Sequence, residues 1–206
     1  MRAAVTVTLA TLLLAGCGTT PPDRTDNLCH IFDQHPRWYD HARASEKEWG
    51  TPIATQMAFI RQESSFRHDA RPPRTRLLGF IPWRRPSTAY GFAQAQNPVW
   101  GEYQDERGTL FSRRTNMKHA LDFVGWYNQN THDRLGISKN NPRQLYLAYH
   151  EGHAGYRRRN WEHNNTLDRA ANRVERTAIQ YDQQLQTCEE RFQCRRFWEV
   201  GPFCDP

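Results

Sequence analysis

Apolar residues recur every three or four positions through most of this chain, and glycine and proline mark where they stop. Arg37 to Trp49 reads as a helix closed by Gly50. Thr51 then suits an N-cap and Pro52 the first position of a second helix, running to Gln62 with Ile53, Met57 and Ile60 on one face. From Ser64 to Tyr90 the period is lost. Pro72-Pro73, Gly79, Pro82 and Pro86 break helices, and the apolar run Leu77 to Trp83 lacks helical spacing, which predicts a loop or short hairpin. Helical spacing returns over Asn116 to Asn130 through Met117, Ala120, Leu121, Val124 and Tyr127. Another helix starts after Asn141-Pro142. The last runs from Thr166 to Thr187, where Leu167, Ala170, Val174, Ala178, Tyr181 and Leu185 form a stripe to be buried. The pattern predicts a mainly α single domain with one irregular insertion.

The first residues have a different character. Arg2 precedes an apolar run, Ala3 to Ala15, that is too short for an ordinary membrane span. It ends in Leu14-Ala15-Gly16-Cys17, which resembles the bacterial lipoprotein signal, cleaved before the cysteine that receives lipid. That resemblance implies a signal peptide over residues 1–16 and a lipidated Cys17 with a polar tether over 17–27. It also implies outer-membrane sorting, because Gly18 stands where aspartate would favour inner-membrane retention. Two or more acyl chains would anchor the protein stably to the periplasmic side of the outer membrane. The alternative is a plain secretory signal. The domain proper is expected over residues 28–188, with a C-terminal tail over 189–206.

Export changes the meaning of the cysteines. Besides Cys17 there are four, Cys29, Cys188, Cys194 and Cys204, enough for two disulfides in three possible pairings. Cys29–Cys188, tying the first helix to the last, and Cys194–Cys204, closing a small tail loop, are favoured. A four-cysteine zinc site is disfavoured because no pair has knuckle spacing. The formal net charge of +6 falls to about +5 without Arg2 and suits an anionic polymer as partner. Export points to peptidoglycan or a lipid surface rather than nucleic acid.

Chemistry concentrates around Glu63. It falls at the end of a predicted helix, where the partial negative charge of the helix disfavours a second one. Shielded from water there, a carboxyl keeps its proton to a higher pH, as a general acid must. Three stretches stand in order along the chain: Glu63-Ser64-Ser65-Phe66, then Ala89-Tyr90-Gly91-Phe92-Ala93-Gln94, then Leu147-Ala148-Tyr149-His150-Glu151-Gly152. Together they resemble the lytic transglycosylases of the soluble-lytic-transglycosylase, goose-lysozyme-like family. Its pattern is Glu-Ser-x-Phe, Gly-Leu-Met-Gln, Ala-Tyr-Asn-x-Gly and a tyrosine on a late helix, here matched by Tyr181. The resemblance spans about Trp38 to Leu185 and departs at Phe92-Ala93 and at His150, which replaces the asparagine.

The resemblance implies a lysozyme-like fold and cleavage of the bond between N-acetylmuramic acid and N-acetylglucosamine, giving a 1,6-anhydro product. Glu63 would act as acid and then base, with no metal or cofactor. Ser64, Tyr90, Gln94, Tyr149, His150 and Tyr181 would bind substrate, with Tyr149 and Tyr181 orienting Glu63. Trp83 and Tyr156 are further candidates for stacking on sugars. Two rivals share the same residues. His150 and His153 suggest a metal motif, but a zinc-protease helix spaces its histidines by four rather than three. Glu151, Asp69 or Asp105 as a second carboxylate would make the protein a muramidase that delivers water. A silent, peptidoglycan-binding envelope lipoprotein is the reading outside enzymes.

Overall fold

The computed structural model describes residues 19–77, 81–82, 85–107 and 109–193. The predicted signal peptide, Cys17, Trp83 and the Cys194–Cys204 pair lie outside them. Among the described residues, seven helices of seven residues or more build the domain: α1 (Leu28–Gln34), α2 (Pro36–Trp49), α3 (Ile53–Ser64), α4 (Asn97–Arg107), α5 (Met117–Leu135), α6 (Pro142–Arg157) and α7 (Asn165–Cys188). A short α8 (Glu190–Gln193) follows, and a 3-10 turn over Asn160–His163 separates α6 from α7. The insertion holds a minimal antiparallel hairpin, β1 (Arg76–Leu77) with β2 (Ile81–Pro82), in the register Arg76 to Pro82 and Leu77 to Ile81.

Helix α3 is the centre. Ile53 to Ile60 are buried without a break, so this helix has no solvent face over its first two turns. It packs on α2, α5 and α7. Its start differs from the sequence expectation. Pro52, not Thr51, occupies the N-cap and offers no side-chain bond. The Glu46 carboxylate of α2 instead accepts from Ile53 N at 2.9 Å, and Thr51 gives its carbonyl to Gln56 Nε2 at 2.7 Å. A tertiary carboxylate has replaced the local cap.

Two helices escaped the periodicity reading. In α1, Asn27 caps His30 N at 2.9 Å, and Leu28, Ile31 and Phe32 are buried. In α4, only Trp100 and Tyr103 are buried, too sparse a stripe to stand out. The Asn141-Pro142 signal that opens α6 is nevertheless repeated by Asn97-Pro98 at the start of α4. Helix α5 runs five residues past its expected end, stopping where Gly136 takes a left-handed turn at φ 69°. Gly125 lets α5 approach α2 closely: a Cβ there would stand 2.4 Å from Trp49 Cδ1 and 2.5 Å from Ser45 Oγ. Helix α6 is broken at Gly152, with φ 69° and ψ 158°.

Cys29 and Cys188 are joined, with their Cα atoms 6.1 Å apart, and fasten α1 to the end of α7. The same junction is held by Leu28 N on Gln184 Oε1 at 2.8 Å and Tyr39 Oη on Glu189 Oε1 at 3.0 Å. Closing a loop of 159 residues restricts the unfolded chain severely. The Cys29→Ser, Cys188→Ser double variant is expected to lose about 2–5 kcal/mol, read as a lower urea midpoint with an increased slope.

Candidate active site

Glu63 is the penultimate residue of α3. The chain leaves the helix through two successive left-handed residues, Ser65 at φ 50° and Phe66 at φ 61°. Neither is glycine, and such backbone costs of order 1–3 kcal/mol per residue. Packing holds it there: Phe66 is fully buried and stacks on Trp38, with ring centroids 5.8 Å apart. The turn ends α3 directly after the carboxyl and directs the chain towards the second motif.

The carboxyl meets the inner face of α6. Tyr146 and Tyr149 are three residues apart and so share that face. Tyr146 hydrogen-bonds the Glu63 carboxyl. Phe59, one turn back on α3, presents its ring edge-on to both tyrosines, at 5.3 Å and 5.4 Å. Tyr127 of α5 closes the cluster, 5.0 Å from Tyr149. Glu63 keeps partial exposure, yet burial of its carboxyl raises its pKa to about 7, against an opposing effect from the Tyr146 bond. Burial is the largest cause of the shift. Burial and the charge of Glu63 push both tyrosine hydroxyls well above their ordinary range, so both remain donors.

Tyr149 connects the second and third motifs. Its hydroxyl donates to Ala93 O at 2.6 Å. Gln94 follows in a left-handed conformation, φ 49°, and its amide nitrogen donates to Gly91 O at 2.7 Å and Ala70 O at 2.9 Å. With both hydrogens used by main chain, only its amide oxygen is left for a ligand. The turn needs glycine at 91, where φ is 79° and a Cβ would stand 2.1 Å from Arg114 O. A hollow of about 220 Å³ opens here, lined by Gln94, Gln96, Tyr127, Tyr149, His150 and Glu151.

The other expected residues divide. His150 is exposed at the rim, with Nδ1 3.5 Å from Glu151 Oε1. Ser64 is buried and donates to Ile60 O at 3.1 Å, so its hydroxyl serves the helix turn rather than the Glu63 carboxyl. Tyr181 is also corrected: it is fully buried, bonds Thr25 O and lies under Arg61, because its place on the inward stripe of α7 points it into the core. Tyr146 supplies the bond to Glu63 foreseen for Tyr181, and the Tyr-x-x-Tyr spacing ahead of His150 was its available signal. Tyr90 lies elsewhere, between Arg71 at 4.1 Å and Arg114 at 5.4 Å, in a separate hollow of about 510 Å³. Tyr156 donates to Gln144 Oε1 at 2.6 Å and stacks on Trp161.

The rival constellations come apart. His153 meets Thr131 Oγ1 at 2.9 Å and stacks on Tyr127, whereas His150 faces Glu151, so the two imidazoles do not converge. Asp69 and Asp105 are exposed. Glu151 alone among the three candidate second carboxylates lines the hollow beside Tyr149.

The three motifs are therefore assembled around one raised carboxyl on a helical frame. A protein-family model described as "Transglycosylase SLT domain" matches residues 5–188. No curated protein matches the chain. The match covers nearly the whole sequence and agrees with the mainly α, lysozyme-like fold, so the chain belongs to the transglycosylase SLT domain family, whose action is on peptidoglycan.

Proposed function

We propose that this protein is a peptidoglycan lytic transglycosylase in which Glu63 acts first as acid and then as base. The observation that carries the reading is the carboxyl itself: buried enough for a pKa of about 7, and bonded to Tyr146 at the end of a rigid helix. A group with that pKa is divided between both forms at neutral pH and can give and take a proton with comparable ease.

Protonated Glu63 donates to the oxygen linking the muramoyl C1 to the next sugar. The C1–O bond breaks, the glucosamine leaves as an alcohol, and C1 becomes oxocarbenium-like or is captured by its own N-acetyl group. Carboxylate Glu63, stabilised by the Tyr146 hydroxyl, then takes the proton from the C6 hydroxyl of the same sugar. The C6 oxygen attacks C1 and closes the 1,6-anhydro ring, leaving Glu63 protonated for another cycle. The nucleophile is tethered to the reacting carbon, so high effective concentration replaces an activated water. Gln94, Tyr149 and His150 border one hollow, which Tyr149 links to the field of the Glu63 carboxyl, and suit contacts to the sugar acetamido and hydroxyl groups. Glu151 in the same hollow favours one second reading, a muramidase in which that carboxylate directs water to C1.

Digestion of purified sacculi separates these readings by product mass. Anhydro-muropeptides are expected, reducing-end products would establish the hydrolase, and retained binding without products would leave a scaffold. Glu63→Gln is expected to lower product release by at least about 100-fold, and the parent rate to fall as pH rises through about 7.

The same proton affects folding. Below the ordinary value of 4.5 the folded and unfolded chains are both protonated at this site. Between 4.5 and about 7 the folded chain holds a proton that the unfolded chain has lost, so stability declines as pH rises and levels off above about 7. Glu63→Gln removes that decline. Its stability advantage over the parent should grow across this window to at most about 3 kcal/mol, measured by urea unfolding at each pH.

The proposal extends to location. The apolar run ending at Cys17, followed by Gly18, supports a lipid-anchored protein facing peptidoglycan from the outer membrane. Cells fed radiolabelled palmitate should label the parent and not Cys17→Ser, which should appear in the soluble periplasmic fraction or retain its signal.

A further inference from the structure

A further hollow, of about 610 Å³, lies between the end of α3 and α7. It shares no residue with the hollow beside Tyr149. Arg61, Arg173 and Arg176 line it together with Gln62, Ser65 and Thr25, and no acidic side chain does. Among the described residues none of these arginines is in an ion pair, whereas Arg107, Arg143, Arg159 and Arg191 are. Three guanidiniums around one cavity repel one another until an anion arrives, and their planar forks match carboxylates. Arg61 is steadied over the Tyr181 ring, at 5.8 Å, while Arg173 and Arg176 are exposed.

Side chains connect this hollow to the reacting carboxyl. Arg173 Nε donates to Gln62 Oε1 at 3.3 Å. Gln62 bonds the Tyr146 hydroxyl, and Tyr146 bonds Glu63. The anion that fits is thus one carried close to the bond being broken. In peptidoglycan the carboxylates belong to the short peptide stems on the muramoyl lactyl groups, and the volume exceeds what a lone inorganic ion needs. We propose that Arg61, Arg173 and Arg176 bind stem carboxylates of the strand presented to Glu63, a role that rests on the peptidoglycan reading above.

The test reads binding without turnover. The full chain carrying Glu63→Gln, purified in non-ionic detergent, is titrated with fluorescent soluble glycan strands, either bearing their stems or stripped of them by an amidase. Stem-bearing strands should bind about tenfold tighter at low salt. Adding Arg173→Gln and Arg176→Gln should bring the ratio close to one, and lysine at both positions should restore part of it. The lysine pair and an unchanged melting temperature guard against misfolding. Equal binding of both strands by the parent would overturn the proposal. So would a preference that survives the double substitution. Loss of binding to phosphatidylglycerol vesicles with the stem preference intact would also overturn it, assigning the arginines to a membrane surface. Anhydro products without a stem preference would sink this inference alone. An arginine-dependent preference without anhydro products would sink only the reaction.

Discussion

A helix whose first two turns have no solvent face must have its polar groups supplied from within the protein, and α3 sets the terms for the rest of this fold. Its first free N–H is met by Glu46, and Gln56, wholly buried, bridges to Ala42 O and Thr51 O at 3.2 Å and 2.7 Å. These bonds fix the helix axially against α2. They therefore fix how far its other end projects, and that end carries Glu63. A carboxyl on a loop at this depth could turn towards water. On the last turn of an immobilised helix it has less freedom to do so, and burial of the carboxyl holds its proton to near neutrality.

The aromatic layer converts that imposed burial into a usable site. Phe59, Tyr146, Tyr149, Tyr127 and Phe123 meet mostly edge to face or tilted near the end of α3, and among the described residues no cation pairs with the carboxyl. A bound arginine would hold Glu63 ionised and spoil it as an acid. Tyr146 offers a neutral donor instead, strong enough to favour the carboxylate after proton transfer and too weak to prevent protonation before it. Arg173 of the neighbouring hollow reaches Gln62 rather than the carboxyl itself.

Much of the frame was legible in the sequence. Helices α3, α5 and α7 announce themselves through apolar stripes, α2 through its Gly50 stop and α6 through Asn141-Pro142, and Asn141 caps its helix as expected. α1 is too short for a stripe to count, and α4 buries too few residues. The site was legible in its residue types and less so in their partners. Amphipathicity tells that Tyr181 points inward but not at what, and its hydroxyl went to Thr25 O. Glu63 and Tyr146 are eighty-three residues apart, so burial of the carboxyl depends on how α6 docks, which no local pattern encodes. The left-handed turns at Ser65, Phe66 and Gln94 use residues that give no turn signal, and those turns decide where Gln94 spends its amide.

The break in α6 shows how that docking is held. Gly152, the last residue of the third motif, splits the helix there, which would leave Tyr149 on a free end unless something spanned the break. Helix α5 does so. Tyr127 donates to Ala148 O at 3.2 Å before the break, and Thr131 meets His153 Nε2 at 2.9 Å after it. Because the Thr131 hydroxyl already donates to Tyr127 O, the imidazole must supply the proton, which assigns it to Nε2. Burial lowers the His153 pKa to about 4, so this neutral donor is unchanged across the range where Glu63 titrates. The brace stays constant while the acid changes charge, and it steadies the helix end from which Tyr149 donates to Ala93 O at 2.6 Å.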